Sequence, residues 1–171
     1  LPVGVNIYDF QLVDGPDKKK YLLAYNDAGF LNVYTEEGLR VWQSREAYPG
    51  VHRAFKRTAP TVMVSGGEWS VKDRVCLRNN ESLVVKRIPL TTMALSLGFK
   101  SSQIKTLWWN GLSMEENTLI DGISGSVIDY ALLPDRLVVL ATPLFGLKPK
   151  NILKGESPLG SMLYVYSLKG R

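Results

Sequence analysis

Short stretches in which apolar and polar residues alternate make up most of the chain. Four of them lie within residues 6–44, and the last three are separated by Asn26-Asp27-Ala28-Gly29 and Glu36-Glu37-Gly38. Successive side chains of a strand point to opposite faces, so this alternation is typical of strands with one buried face. Gly29 supplies the positive φ that a tight hairpin needs. The pattern therefore predicts a meander of four antiparallel strands.

Two later parts of the chain repeat this pattern less regularly. Residues 61–120 contain four candidate strands and a predicted insertion, residues 79–102. Residues 126–168 contain three candidate strands, interrupted by a Pro- and Lys-rich loop at residues 142–158. Long loops of this kind often carry function, so we expect the insertion and this loop to make partner contacts. Since no stretch has the period of an amphipathic helix, the chain is predicted to be all-β.

A meander of four strands is the unit that β-propellers repeat as a blade, at about forty to sixty residues each. The sequence thus predicts a partial β-propeller of about three four-stranded antiparallel blades at residues 6–44, 61–120 and 126–168, the last blade lacking one strand. A propeller closes with about four to eight blades. We expect a protein partner or a second copy of the chain to complete it, through apolar faces carrying residues such as Tyr8, Phe10, Tyr130 and Leu163.

Several short motifs carry a resemblance to a known family. They are Tyr8-Asp9-Phe10 and Ile128-Asp129-Tyr130, Leu31-Asn32-Val33-Tyr34, and Trp108-Trp109-Asn110-Gly111 at the end of a strand. With them the chain resembles the VCBS/FG-GAP class of propeller repeats, and is most similar to C-terminal propeller regions of bacterial exported lipoproteins. The resemblance implies a protein-binding complex subunit that is periplasmic or secreted, in association with the outer membrane. Because the sequence opens at Leu1-Pro2-Val3-Gly4 without an initiator Met, we also expect a piece processed or excised from a longer protein.

The calcium loop of that class departs from its usual form here. Repeats of the class carry Asp-x-Asp-Gly-Asp-Gly, whose carboxylates surround a hard cation. This chain has Asp14 and Asp17 followed by Lys18-Lys19-Lys20, and the ammonium groups repel a divalent ion. We therefore expect a degenerate loop with no metal or other cofactor, Asp14 and Asp17 being the only candidate ligands.

Composition and charge narrow the function further. The 171 residues are 45% hydrophobic and carry a net charge of +5 that is dispersed along the chain, which argues against a nucleic-acid footprint. No apolar run approaches the roughly 18 residues of a membrane helix. The one histidine, His52, lacks the spacing of a catalytic triad or a metal site. We therefore expect a protein that is not an enzyme.

The candidate contact residues are aromatic and basic. The aromatic candidates are Trp69, Trp108 and Trp109. Because Trp108 and Trp109 are adjacent in sequence, their side chains lie on opposite faces of a strand. The basic candidates, which lie in one short segment around an aromatic residue, are Arg53, Lys56 and Arg57. Such a segment either stacks nucleobases or, as we prefer, is a charged strand edge that discourages pairing.

The function expected from the sequence is a non-enzymatic binding or assembly module, an exported propeller fragment or subunit that mediates protein–protein contact. One alternative is a carbohydrate-binding module, in which an exposed Trp109 or Trp69 stacks on a sugar ring beside a groove. The other alternative is the catalytic domain of a propeller hydrolase, with polar groups of several blades converging in one pocket.

Overall fold

The computed structural model describes residues 1–3, 5, 10–48, 53–56, 68–71, 73–91, 98–144, 154 and 160–168, and only the backbone of 53–56 and 68–71. Within these residues the chain is all-β, as the sequence predicted, and no helix there could span a membrane. The strands are β1 (Phe10–Asp14), β2 (Lys20–Tyr25), β3 (Leu31–Tyr34), β4 (Arg40–Gln43), β5 (Arg53–Lys56), β6 (Glu68–Val71), β7 (Cys76–Arg78), β8 (Glu81–Pro89), β9 (Phe99–Trp109), β10 (Met114–Ser124), β11 (Ser126–Leu132), β12 (Arg136–Thr142) and β13 (Met162–Ser167).

These strands form antiparallel meanders in which neighbours in sequence are neighbours in space. The first sheet has the order β1-β2-β3-β4, the middle sheet β10-β9-β8-β7 and the third sheet β11-β12-β13, while β5 and β6 form a hairpin. The meander predicted for residues 6–44 is confirmed from Phe10 onward, with Gly29 at a φ of 82° in the β2–β3 turn. The three predicted strands of residues 126–168 are also present. Their arrangement as propeller blades stays a prediction.

The predicted insertion at residues 79–102 is wrong for most of its length. β8 lies inside it and pairs with β7 on one side and β9 on the other, and β9 begins at Phe99. The run Leu83-Val84-Val85 misled the prediction because a strand covered on both faces has no polar alternation. The strand predicted at residues 61–64, and most of the loop predicted at residues 142–158, lie outside the described residues.

The middle sheet lies between the other two, so each of its faces contributes to a buried core cluster. Val84 of β8 packs toward the first sheet, whereas its neighbours Leu83 and Val85 pack toward the third. The cluster shared with the first sheet contains Val13, Leu23, Tyr25, Leu31, Val33, Tyr48, Val84, Leu107 and Trp109. The cluster shared with the third sheet contains Leu83, Val85, Ile104, Ile123, Val127, Tyr130, Leu137, Val139, Ala141 and Leu168.

Arg87 of β8 is buried between the middle and third sheets. Its guanidinium forms a two-point ion pair with the carboxylate of Asp73, of which the Nη2–Oδ1 distance is 2.8 Å. Its Nε donates to the carbonyl of Val127 at 3.0 Å and to the hydroxyl of Ser126 at 3.2 Å. A buried cation is tolerated only when its donors are satisfied, so this set ties β8 to the start of β11.

The chain crosses from the middle sheet to the third at Gly125. Its φ is 77°, and a Cβ at this position would lie 2.1 Å from the carbonyl oxygen of Thr142. The hydroxyl of Ser102 donates to the carbonyl of Gly125 at 2.8 Å and accepts from the backbone N–H of Val127 at 3.1 Å. A glycine is therefore required here both by the backbone conformation and by the close approach of β12.

Replacing Asp73 with alanine should destabilise the protein strongly. The variant leaves the buried Arg87 guanidinium without its carboxylate, and such a loss costs on the order of 3–5 kcal/mol. Urea unfolding at neutral pH measures the difference. Asp135→Ala is the matched control, because Asp135 pairs with Arg136 at 2.8 Å on the surface and exposed pairs contribute little. Equal losses in the two variants would contradict the role given to Arg87.

Candidate functional site

The face of the third sheet that points away from the middle sheet carries apolar side chains. In β13 alternate residues turn toward the core, while Leu163 and Val165 are 66% and 59% exposed. The register places Leu163 opposite Leu140 and Val165 opposite Val138. Because directly opposed residues share a face, these four side chains form one surface, which we call the outer apolar patch.

The outer apolar patch adjoins a strand edge. Within the described part of the chain, β13 pairs with β12 alone and so ends the third sheet. An edge strand presents backbone N–H and C=O groups that can pair with another chain. Apolar patches on the surface of soluble proteins mark interaction sites when they are contiguous. The patch and the edge together have the features of a docking surface for a second β-sheet.

The apolar residues predicted for the exposed faces differ in how exposed they are in the structure. Leu163 is exposed as expected. Tyr130 was expected there and is instead buried, because its hydroxyl lies within hydrogen-bond distance of the carbonyls of Arg74, at 2.8 Å, and Leu83, at 2.6 Å. Phe10 is half-buried, and Tyr8 lies outside the described residues.

The two adjacent tryptophans are separated by the sheet, as the alternation of strand side chains predicts. Trp109 is 1% exposed and packs in the core against Tyr21, with ring centroids 5.5 Å apart. Trp109 is thus a core residue, and its prediction as a contact residue was wrong. Trp108 is 39% exposed on the opposite face and remains available for contact.

The basic candidates belong to the hairpin of β5 and β6. The register pairs Arg53 with Val71 and Lys56 with Glu68, and it places Trp69 opposite Phe55. The register therefore places the basic segment and Trp69 on neighbouring strands, an arrangement that the sequence did not predict. Arg57 lies outside the described residues.

A cleft of about 400 Å³ separates the first and middle sheets at their outer strands. The hydroxyl of Tyr48 donates to the carboxylate of Glu116, which also pairs with Lys105 at 3.0 Å. Lys86 pairs with Glu46 at 3.2 Å and lies 5.9 Å from the ring centroid of Tyr48. Each of these charges has a partner inside the cleft, so the group joins the two sheets.

Local structure holds this group in position. After β4, the hydroxyl of Ser44 accepts from the backbone N–H of Leu31 at 3.1 Å and donates to the carbonyl of Glu46 at 2.7 Å. The backbone N–H of Tyr48 then donates to the carbonyl of Gly29 at 2.9 Å. The segment after β4 is therefore folded back onto the first sheet, which aims the Tyr48 ring at the middle sheet.

The electrostatics of the cleft favour an ionised carboxylate. Burial alone raises the pKa of Glu116, but the hydrogen bonds from Tyr48 and Lys105 outweigh it and leave that pKa below its ordinary value. Burial, followed by the hydrogen bond to Glu116, raises the pKa of Tyr48 well above its usual range. At neutral pH the pair is thus a carboxylate and a neutral phenol.

The two candidate calcium ligands are engaged by neighbouring side chains. Asp14 forms an ion pair with Lys20. The carboxylate of Asp17 accepts from the hydroxyl of Tyr21 at 3.0 Å and lies 4.0 Å from the Nζ of Lys19. Within the described part of the chain, acidic, histidine and cysteine side chains form no group of three or more that could hold a metal.

No family model, no curated protein and no solved structure matches the chain.

The sequence did not predict the residues of the cleft or three members of the outer apolar patch, Val138, Leu140 and Val165. Tyr48, Lys86 and Glu116 come from distant parts of the chain, and no local motif links them. For Val138 and Leu140 the sequence does carry a signal. The continuous apolar run Leu137–Ala141 is typical of a strand covered on both faces.

We expect Glu116→Gln to lower stability in a pH-dependent way. The folded pKa of Glu116 is depressed, so its contribution is complete above the ordinary carboxyl pKa of about 4.3 and is lost as the pH falls through the lower folded value. Urea unfolding of wild type and variant from pH 7 to pH 3 should show the gap closing. Glu115→Gln controls for the loss of one negative charge on the other face of β10. A gap that widens in acid would overturn this account.

Removing calcium should leave thermal stability unchanged. The lysines beside Asp14 and Asp17 oppose a divalent cation, so no binding energy is available to be lost. Thermal unfolding followed by circular dichroism with excess chelator, and again with added calcium, should give one midpoint. A midpoint that falls by several degrees in chelator would reveal a cation site.

Proposed function

We propose that the chain is a non-enzymatic assembly module that binds a β-sheet of another polypeptide through the outer apolar patch. The observation that carries this proposal is the likeness of β12 to β8. Both contain a continuous apolar run, Leu137–Ala141 in β12 and Leu83-Val84-Val85 in β8. β8 is covered by a sheet on each face, whereas the outer face of β12 adjoins the exposed side chains of β13. A further sheet would give β12 the same environment as β8.

The stacking of the sheets supports this choice of partner. The first sheet covers one face of the middle sheet, and the third sheet covers the other, each through alternating apolar side chains. The outer face of the third sheet carries apolar side chains at alternate positions in the same way, so a further sheet could stack on it. Burying the exposed parts of Leu163 and Val165 is worth about 1–2 kcal/mol each. The occupant of this surface is therefore a second antiparallel sheet with an apolar face, supplied by another copy of the chain or by the remainder of a longer protein.

The edge of β13 adds a backbone contribution to the same interaction. The third sheet has three described strands, while the first and middle sheets have four. A partner strand that pairs with β13 through main-chain hydrogen bonds would give the third sheet four strands as well. In this interpretation the sheets are successive blades of a VCBS/FG-GAP-type propeller, and the partner supplies the missing strand and blades. An exported location, periplasmic or extracellular, belongs to the same proposal.

The cleft between the first and middle sheets is the place where an enzyme would be sought. Polar groups of two sheets converge there, as a propeller hydrolase requires. Yet the carboxylate of Glu116 is held by Tyr48 and Lys105, and its low pKa disfavours the protonated form that a general acid needs. Lys86 is likewise paired with Glu46. The arrangement favours a structural role, and so the assembly function.

Placing glutamates on the outer apolar patch should abolish self-association. We expect the isolated wild-type chain to associate as its concentration rises, because a second copy is then the only available sheet. The variant Leu163→Glu/Val165→Glu puts charge where an apolar face must dock, and should remain a monomer. Sedimentation velocity over a hundredfold range of concentration measures both.

Leu112→Glu is the matched control for this experiment. Leu112 is 87% exposed in the β9–β10 turn, away from the third sheet, so its replacement should leave association unchanged. A wild-type chain that stays monomeric and stable at every concentration would refute self-association through the patch. Equal loss in the control and in the double variant would show that surface charge alone is responsible.

A further inference from the structure

A second cleft, of about 640 Å³, opens between the middle and third sheets. Arg78, Glu81, Thr106 and Asn117 line it from the middle sheet, and Tyr166 lines it from β13. Thr106 is buried and forms part of the floor, while the other side chains stand around it. The volume lies within the range of about 300–1,000 Å³ that is common for ligand sites.

Trp108 stands beside this cleft. It lies two residues after Thr106 in β9, so its side chain projects from the same face of the sheet, about 7 Å further along the strand. The regular pairing of Thr106 with Asn117 and of Trp108 with Glu115 excludes a bulge between the two positions. The indole, 39% exposed, therefore lies on the same face as Thr106 and next to the cleft, outside the side chains that line it.

The polar side chains around the cleft have hydrogen-bonding capacity left for a ligand. Within the described part of the chain, the side chains of Arg78, Glu81, Asn117 and Tyr166 make no hydrogen bond or ion pair. The charged side chains of the cleft between the first and middle sheets differ in this respect, because they are paired with one another. Together they offer guanidinium and amide donors beside carboxylate, amide and phenol oxygens.

We infer that this cleft binds a neutral oligosaccharide, with one sugar ring against the face of Trp108. A pyranose has an apolar face of C–H groups and a rim of hydroxyls that both donate and accept. The flat indole fits that apolar face, and the mixed donors and acceptors fit the rim. The single cation, Arg78, is balanced by the carboxylate of Glu81, which disfavours anionic ligands such as a phosphate backbone.

Binding of the purified chain to an array of neutral, acidic and amino oligosaccharides tests the inference. We expect neutral oligosaccharides to bind, and the strongest of them is then titrated by calorimetry. Trp108→Ala should weaken binding tenfold or more, as expected for loss of a stacking platform. Asn117→Ala should weaken it several-fold, and Trp108→Phe should retain part of the affinity. Leu112→Ala, in the turn after Trp108, is the control and should bind like wild type.

Thermal unfolding of each variant shows whether a loss of binding reflects a loss of fold. No binding by wild type to any neutral oligosaccharide would overturn the inference, as would binding that Trp108→Ala leaves unchanged. Competition by oligothymidine at Trp108 would instead identify a single-stranded nucleic-acid site and equally overturn it. Leu163→Glu/Val165→Glu should bind oligosaccharide normally, since the outer apolar patch is on the opposite face of the third sheet. The two proposals thus fail separately.

Discussion

The buried ion pair of Arg87 and Asp73 sets the relation between the middle and third sheets. A guanidinium keeps its proton at any physiological pH, so it can be buried only where every N–H finds an acceptor. Both carboxylate oxygens of Asp73 and the carbonyl of Val127 accept from the Nε, Nη1 and Nη2 of Arg87. The start of β11 is therefore held at one place against β8. The outer apolar patch and the cleft beside Trp108 both depend on that placement.

The interface between the first and middle sheets is organised differently. Its centre is apolar, with Trp109 fully buried, and its polar contacts lie at the rim. Asn80 exchanges two hydrogen bonds with the backbone of Asp14, at 3.2 and 3.3 Å, while Tyr48 and Glu116 meet on the opposite side. Apolar burial supplies most of the stabilisation in such interfaces, and directional contacts select one alignment. The two faces of the middle sheet thus use a buried charge on one side and rim hydrogen bonds on the other.

The third sheet serves both proposed activities without conflict. Its outer face, with Leu163 and Val165, is available to another sheet, and its inner rim, with Tyr166, borders the proposed sugar cleft. Leu163 and Val165 lie on one face of β13 and Tyr166 on the other, because side chains alternate along a strand. A module of this kind could hold a ligand while assembled with its partner.

Local pattern was enough to predict much of this architecture. The all-β class and the hairpins around Gly29 and Gly38 follow from residues close in sequence, since turn chemistry and strand alternation are local properties. The separation of Trp108 from Trp109 follows in the same way. The resemblance to propeller repeats added an expectation about assembly that the sequence could not test by itself.

Only the tertiary structure decided what covers each strand. Leu83-Val84-Val85 and Leu137–Ala141 read alike in sequence, yet the first run is covered on both faces and the second adjoins an exposed patch. The same is true of the polar groups. Glu116 is engaged by Tyr48, 68 residues away, whereas the side chains of Glu81 and Asn117 make no hydrogen bond or ion pair within the described part of the chain. Burial and pairing depend on contacts between residues distant in the chain, and no local pattern specifies which distant residues will meet.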